Sequence, residues 1–465
     1  MERVVRILRS RCAFLLATAV LASCSSLPII VPDMARSREP VRVEDANGRM
    51  LSASQTKAIL DRLKADGIDS SIFDRHLTVE QEIVGGPLKS GNAAVLLENG
   101  PATYDAMLTA IRAARDHINM ETYILDADEI GRRFADALIA KQKQGVQVNL
   151  IHDSVGTLGT PREFFTALKD AGINVLVFNP VNPLTAKAGW DVNQRDHRKI
   201  LIVDGETAFL GGINISGVYS GGAFSGGSQK PKSAKDLPWR DTDLQVSGPV
   251  VADLQKFFIE TWERQKGEPL APRNYFPKLG ERGKEIVRAI ASGPDEPFSL
   301  IYATFLSAIN SAESEILLTN AYFVPDPQLI EALLAAVARG VDVKMILPSA
   351  TDSWLVFHAG RAHYDPLLRG GVKLYERRDV LLHSKTALID GVWSTVGSTN
   401  LDWRSFLHNQ EVNVVILGPE FGLRMRAVFD QDLAASKLIT LEEWQQRPLG
   451  VRLKEVFGRM WEYWL

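Results

Sequence analysis

Two stretches of this chain repeat one rare pattern, and any fold it adopts must accommodate both copies. The first is His197-Arg-Lys199-Ile-Leu-Ile-Val-Asp204-Gly205; the second is His383-Ser-Lys385-Thr-Ala-Leu-Ile-Asp390-Gly391. Both read H-x-K-x4-D-G, and the agreement continues downstream. Gly211 and Gly397 each lie 14 residues beyond their histidine, and Asn214 and Asn400 each lie 17 beyond. Asp241 stands seven residues before Gly248-Pro249, as Glu411 stands seven before Gly418-Pro419. Two such motifs with matching flanks, in a chain with only eight histidines, mark an internal duplication.

The segments upstream of the motifs repeat as well. Apolar periodicity predicts a helix over Ala102–Ala114, a strand over Ile118–Leu125, a helix over Glu129–Gln144 closed by Gly145, and a strand over Val146–Ile151. The second copy predicts a helix over Phe298–Ser311, a strand over Ile316–Val324, a helix over Pro327–Arg339 closed by Gly340, and a strand over Val341–Leu347. Leu108-Thr-Ala-Ile111 returns as Leu306-Ser-Ala-Ile309. Strands alternating with helices imply an α/β protein of two similar α/β/α sandwich domains, each a sheet covered by helices. The first domain is expected over 96–264 and the second over 286–440, joined by the Pro- and Gly-containing linker 265–285. Residues 24–95 read as an extension without identifiable chemistry, and 441–465 as a tail. The whole chain of 465 residues has a formal charge of −3, which argues against a dedicated nucleic-acid binder. No run of 18 apolar residues occurs, so no spanning helix is expected.

The amino terminus reads as an address. Arg3, Arg6, Arg9 and Arg11 precede the apolar run Cys12–Ala22, too short for a stable span. Leu21-Ala22-Ser23-Cys24 looks like a bacterial lipobox, which implies a signal peptide over 1–23, cleavage before Cys24 and acylation of that cysteine. The expected location is extracytoplasmic and membrane-anchored; Ser25 after the cysteine would favour the outer membrane in a Gram-negative host.

Alternation puts the His and Lys of each motif on one face of a strand, within reach of one ligand. A pseudo-twofold joining the halves would bring His197, Lys199, His383 and Lys385 to a single site at the interface. One histidine then serves as nucleophile and the other as proton donor, while two ammoniums hold phosphoryl oxygens. Asp204 and Asp390 complete the motifs and are counted with the catalytic residues. Asp241 and Glu411 are expected to fix histidine tautomers through Nδ1–H, with Glu411, only 28 residues beyond His383, holding that histidine. Asn214, Asn400 and Ser398 are expected to support the phosphate site. His76, His117, His152 and His358 read as satisfied structural residues. No zinc spacing, phosphate-binding Walker loop or serine elbow occurs, so neither metal nor cofactor is expected.

From about Asn92 onward the chain resembles the phospholipase D superfamily, in its bacterial cardiolipin synthase branch. The resemblance rests on the paired motifs, Gly211-Gly212-Ile-Asn214, Trp239-Arg-Asp241-Thr, Asn320-Ala-Tyr-Phe-Val-Pro-Asp326 and the run Gly397 to Glu411. It implies a covalent phosphohistidine intermediate formed without metal or organic cofactor. Phosphatidylglycerol would give its phosphatidyl group to His197 and release glycerol, and the hydroxyl of a second phospholipid would then take that group. His383 would act first as acid and then as base. Many members of the branch begin with two spanning helices, and this chain carries a lipobox-like signal instead. Hydrolysis with water as acceptor is the alternative activity, a nuclease comes third, and a non-catalytic envelope scaffold has no need of either histidine. The implied partners are phospholipids and a membrane surface reached through the anchor. Lys230, Lys232 and Lys235 sit in a loop that either meets anionic headgroups or is simply solvated. The tail Val456–Leu465 suits either a membrane interface or packing against the domain.

Overall fold

A computed structural model of the chain describes residues 41–64, 70–84, 86–181, 191–221 and 237–465. Cys24, the residues 1–23 expected to form a signal peptide, and Lys230, Lys232 and Lys235 lie outside the described residues.

The duplication folds as two copies of one seven-stranded arrangement. The first copy contains β1 (Leu88–Leu97), β2 (His117–Thr122), β3 (Gln147–Asp153), β4 (Asn174–Phe178), β5 (Ile200–Val203), β6 (Thr207–Gly211) and β7 (Asp243–Ser247). Its spatial order is β4-β3-β2-β5-β6-β7-β1, with β2, β3 and β4 parallel and the remainder antiparallel. The second copy contains β8 (Glu285–Ser292), β9 (Glu315–Asn320), β10 (Asp342–Pro348), β11 (Lys373–Arg377), β12 (Lys385–Ile389), β13 (Trp393–Gly397) and β14 (Asn409–Leu417). Its order, β11-β10-β9-β12-β13-β14-β8, repeats the first. The copies join where β1 and β8 run antiparallel, Glu285 opposite Asn92 and Val287 opposite Lys89.

Local sequence explains the matching helices. Asn99 caps Gly100–Ala113 by accepting the Ala102 N–H at 3.0 Å, and Pro101 occupies the first turn, where its missing N–H costs nothing. Asp128 caps Glu129–Lys143, as Asp326 caps Pro327–Ala338. The chain leaves these two helices through Gly145 and Gly340, at φ +89° and +93°, a conformation that favours glycine. Between the halves, Leu254, Phe258 and Trp262 of the helix Val251–Arg264 share one core with Phe421, Met425 and Phe429 of the helix Pro419–Ala434. The halves are therefore packed as one body.

Three sequence expectations change. The strand expected over Ile316–Val324 is broken into Glu315–Asn320 and Phe323–Val324, because the chain turns out of the sheet at its carboxyl end. The expected boundary between 95 and 96 cuts through β1, a sheet strand. The preceding residues are not a separate extension either: Val43, Leu60 and Leu77 are buried in the core of the second half with Ile286, Ile290 and Tyr302. Among the described residues no helix is long and apolar enough to cross a membrane.

Candidate active site

The His-x-Lys segments do not lie on unbroken strands. Each spans the gap between a two-residue strand and a longer one: Arg195–Asp196 before β5, and Leu381–Leu382 before β12. The short strands pair across the molecule. Arg195–Asp196 runs beside Asn409–Gln410 of the second half, and Leu381–Leu382 beside Trp239–Arg240 of the first. The His197 N–H donates to the Gln410 carbonyl at 3.0 Å, and the His383 N–H to the Arg240 carbonyl at 2.7 Å. Backbone pairing thus carries each motif into contact with the other repeat.

The carboxylates follow the same crossing, which corrects the expectation that Glu411 holds His383. Glu411 meets His197 instead, its two oxygens 3.0 and 3.1 Å from Nδ1. Asp241 meets His383, with Oδ2 2.7 Å from Nδ1. The reason is topological. Glu411 lies on β14 directly beyond the residues that pair with Arg195–Asp196, whereas Asp241 follows those that pair with Leu381–Leu382. Gly212 permits the second arrangement, since a Cβ there would stand 2.4 Å from both Asp241 oxygens. At the corresponding place the second half has Ser398, whose hydroxyl donates to Glu411 Oε2 and accepts the Val412 N–H at 3.0 Å.

Asp204 and Asp390 are not at this site, contrary to the expectation that the third motif residue is catalytic. Each occupies an Asp-Gly turn at the far end of its strand, at φ +54° and +52°, which aspartate tolerates in such turns. Asp204 accepts the N–H groups of Arg115, Asp116 and His117 at 2.8–3.1 Å. Asp390 accepts those of Glu313, Ser314 and Glu315 at 2.8–3.1 Å and adds His76 Nε2 at 2.9 Å. His76 is accordingly a structural histidine, but only half satisfied: Nε2 is bonded to Asp390, while the buried Nδ1 has no hydrogen-bond partner among the described residues. The four residues between Lys and Asp are the length of a strand, which is why the motif ends in a turn.

Asn214 is also a scaffold residue. Its Oδ1 accepts the Ile124 N–H at 3.0 Å and its Nδ2 donates to the Tyr219 hydroxyl at 2.9 Å, so both polar atoms are committed. Asn400 is buried near the start of the helix Trp403–Leu407, and its Oδ1 has no hydrogen-bond partner among the described residues. Aromatic residues outside the two H-x-K-x4-D-G motifs surround the imidazoles. Tyr123 meets His197 edge to face at 5.3 Å between centroids, and Tyr322 meets His383 at 5.9 Å. Trp239 lies 4.8 Å from His383, and the Tyr219 hydroxyl 3.5 Å from its Nδ1. Lys199 sits over the Tyr123 ring and Lys385 over that of Tyr322. Tyr123 directly follows β2, and Tyr322 lies two residues beyond β9, within the run Asn320 to Asp326 that the sequence singles out.

Both imidazoles, both ammoniums and both carboxylates are buried. Burial lowers Lys199 to about 7 and Lys385 to about 8, against the partial compensation of Glu411 for the first and Asp241 for the second. His383 is driven well below its ordinary value by burial and then by the two lysines. Burial also lowers His197, opposed by Glu411. Burial pushes Glu411 up, but the charge and hydrogen bond of His197, with Lys199 and Ser398, hold it below its ordinary value. Burial raises Asp241 to about 6. A buried pair of ammoniums, both lowered by burial and Lys199 further by Lys385, is a receptor for an anion, whose arrival restores their charge. Among the described residues no cluster of His, Cys, Asp and Glu is suited to a metal ion.

Residues 107–218 and 305–433 match the family described as cardiolipin synthase, PLD-like domain. The chain belongs to the cardiolipin synthase branch of the phospholipase D superfamily. It is 35% identical over 421 residues to a cardiolipin synthase of Alkalihalophilus pseudofirmus, covering 90% of this chain and 80% of that one. With the major cardiolipin synthase of Bacillus subtilis it shares 34% over 373 residues, covering 79% and 74%. The phosphatidylserine synthase structure from Haemophilus influenzae covers 84% of this chain and all of its own, with a TM-score of 0.64 at 14% identity, a likeness of fold. Membership in the cardiolipin synthase branch accounts for the paired motifs and for the two sandwich halves together.

Proposed function

We propose that the chain is a cardiolipin synthase-like phosphatidyltransferase that moves a phosphatidyl group from phosphatidylglycerol to the hydroxyl of a second phospholipid. The observation that carries this reading is the crossed pair of dyads, each histidine completed by a carboxylate of the other half. Glu411 keeps the proton of His197 on Nδ1, leaving the Nε2 lone pair free. Nε2 attacks phosphorus, the bond to the glycerol oxygen breaks, and His383 gives its proton to the leaving alkoxide. The phosphorylated ring is cationic while Nδ1 retains its proton, and the ionised Glu411 beside it stabilises that charge. Phosphate binding offsets the two lysine charges that depress His383, so the acid is protonated when substrate is present. In the second step the acceptor hydroxyl passes its proton to His383 and attacks phosphorus, and the bond to Nε2 breaks. Incubation of the purified chain with phosphatidylglycerol should yield cardiolipin and glycerol. Phosphatidic acid as the sole phospholipid product would make it a hydrolase.

We also propose that the chain is an extracytoplasmic lipoprotein anchored through Cys24, on the strength of the basic, apolar and small-residue order of residues 3–24. Cys24→Ser should abolish incorporation of labelled palmitate. Unchanged labelling would remove the lipobox reading.

A further inference from the structure

The helix Leu449–Arg459 is amphipathic the wrong way round for a helix packed on a water-soluble surface. Its inner side carries Glu455 and Gly458. Glu455 is 2% exposed and bonded to Arg447, Nε to Oε2 at 2.9 Å. Gly458 lies so close to the helix Trp354–Arg361 that a Cβ would stand 2.6 Å from the Ala359 nitrogen. The outer side carries Leu449, Leu453, Val456, Phe457 and Met460, and Trp464 follows, all 50–75% exposed. Spacings of four, three, one and three residues set the first five on one helical face. A contiguous apolar face of this kind on the outside of a folded domain marks a contact surface.

Charge selects the partner. From 449 to 465 every cation, Arg452, Lys454 and Arg459, is exposed, whereas both side-chain carboxylates, Glu455 and Glu462, are turned inward. Glu462 accepts from or pairs with His363 Nε2 at 2.9 Å. An outward face of apolar side chains and tryptophan, flanked by the exposed cations Arg452 and Lys454 and by Arg459, whose Nε lies 3.8 Å from Glu462, matches the interface of an anionic bilayer.

Position ties this face to the chemistry. Trp354 packs 6.2 Å from Phe457, and two residues earlier Asp352 accepts the hydroxyl of Tyr322, the ring against His383. The Leu465 carbonyl accepts the Arg404 N–H on the helix that follows Asn400. We infer that the outer face of Leu449–Arg459, with Trp461 and Trp464, is the surface by which the folded enzyme docks on an anionic lipid bilayer and sets its active site toward the headgroups. The inference rests on the phosphatidyltransferase reading for its purpose. Of the two readings of the tail, it assigns membrane contact to Val456, Phe457, Met460, Trp461 and Trp464. Packing goes to Tyr463, whose ring lies 5.8 Å from that of Trp403.

The test uses the full chain with vesicles of phosphatidylglycerol and phosphatidylcholine brominated in their acyl chains. Tryptophan fluorescence should be quenched, and the variant W461F/W464F should lose the larger part of that quenching. L453E/V456E should raise the apparent KM for vesicular phosphatidylglycerol about tenfold. It should leave kcat/KM for a soluble short-chain phosphatidylglycerol unchanged, and L158E, at an equally exposed site of the first half, should change neither. Quenching that persists in W461F/W464F, or an unchanged vesicle KM in L453E/V456E, overturns the proposal. So does conversion of a sedimenting dimer to monomer by L453E/V456E with vesicle binding intact, which would assign the face to a second copy. Failure of the wild type to turn over the short-chain lipid, with quenching retained, would defeat the phosphatidyltransferase reading and support the docking surface.

Discussion

Glu411 Oε1 lies 3.0 Å from His197 Nδ1 across 214 residues of chain, and the carboxylate belongs to one repeat while the imidazole belongs to the other. Asp241 repeats the relationship with His383 across 142 residues in the opposite direction. Neither half can assemble a carboxylate–imidazole dyad from its own motif. The dyads therefore depend on the association of the halves, which the shared core of Phe258, Trp262, Phe421 and Phe429 maintains.

Removing the negative charge of Glu411 while keeping its shape should expose what the dyad contributes. Glu411→Gln is expected to lower kcat by about 10²–10⁴-fold, the range seen when a carboxylate no longer fixes an imidazole tautomer. Circular dichroism should show the fold retained. Asp241→Asn should lower kcat comparably. A Glu411→Gln enzyme with wild-type kcat would show that the crossed pair is structural.

The assignment of attack to His197 has a direct chemical readout. His197→Ala and His383→Ala should each abolish turnover with the fold intact. With acyl-labelled phosphatidylglycerol, quenched by denaturant near neutral pH so that the acyl esters survive, the His383→Ala enzyme should retain label on a peptide containing His197. Label on His383 in the wild type reverses the roles of the two histidines. More than a few per cent residual turnover in either variant would mean that the two do not share one site.

Asp204 and Asp390 should behave as stability residues. Asp390→Asn leaves three backbone amides and His76 with a poorer acceptor and should cost about 2–4 kcal/mol by chemical denaturation. Turnover per folded molecule should be preserved, since both residues accept from backbone amides and Asp390 also meets His76, rather than His197 or His383. Burial pushes Asp390 up, but its bonds to His76 and the amides hold it below its ordinary value. A depressed carboxyl contributes stability that is present above its unfolded value and lost as pH falls through the folded one. The wild type should therefore lose stability in acid more steeply than Asp390→Asn, over the interval below about pH 4. Equal acid dependence in the two proteins would contradict the capping role.

The alkaline limb of activity should belong to the lysines. Lys199 and Lys385, at about 7 and about 8 in the free enzyme, must be protonated to hold a phosphodiester. Raising pH removes that charge, so kcat/KM, which reports the free enzyme, should fall as pH rises through this interval. The limb of kcat should lie higher, because bound phosphate favours the ammonium form. Lys199→Arg should move the kcat/KM limb upward, since guanidinium stays charged, while reducing kcat through its different geometry. A kcat/KM that is flat from pH 6 to 9 would exclude these lysines as the anion receptor.

Much of this protein is legible in the residues alone. The repeat, the α/β alternation, the four site residues His197, Lys199, His383 and Lys385, and the need for Asp241 and Glu411 all follow from local pattern and spacing. These are properties of short segments: caps, glycine stops and apolar periodicity act within a few residues, and a duplicated motif is visible without knowing where it sits in space. Tertiary structure decided which carboxylate serves which histidine, because strand pairing between halves overrides proximity in the chain. It moved Asp204 and Asp390 from the chemistry to the turns, since a strand of fixed rise per residue carries the end of the motif away from its beginning. It drew Val43, Leu60 and Leu77 into the second half's core and turned Glu455 inward with Leu453 and Val456 outward. Those outcomes depend on what packs against what, and burial is a property of the assembled surfaces rather than of any one segment.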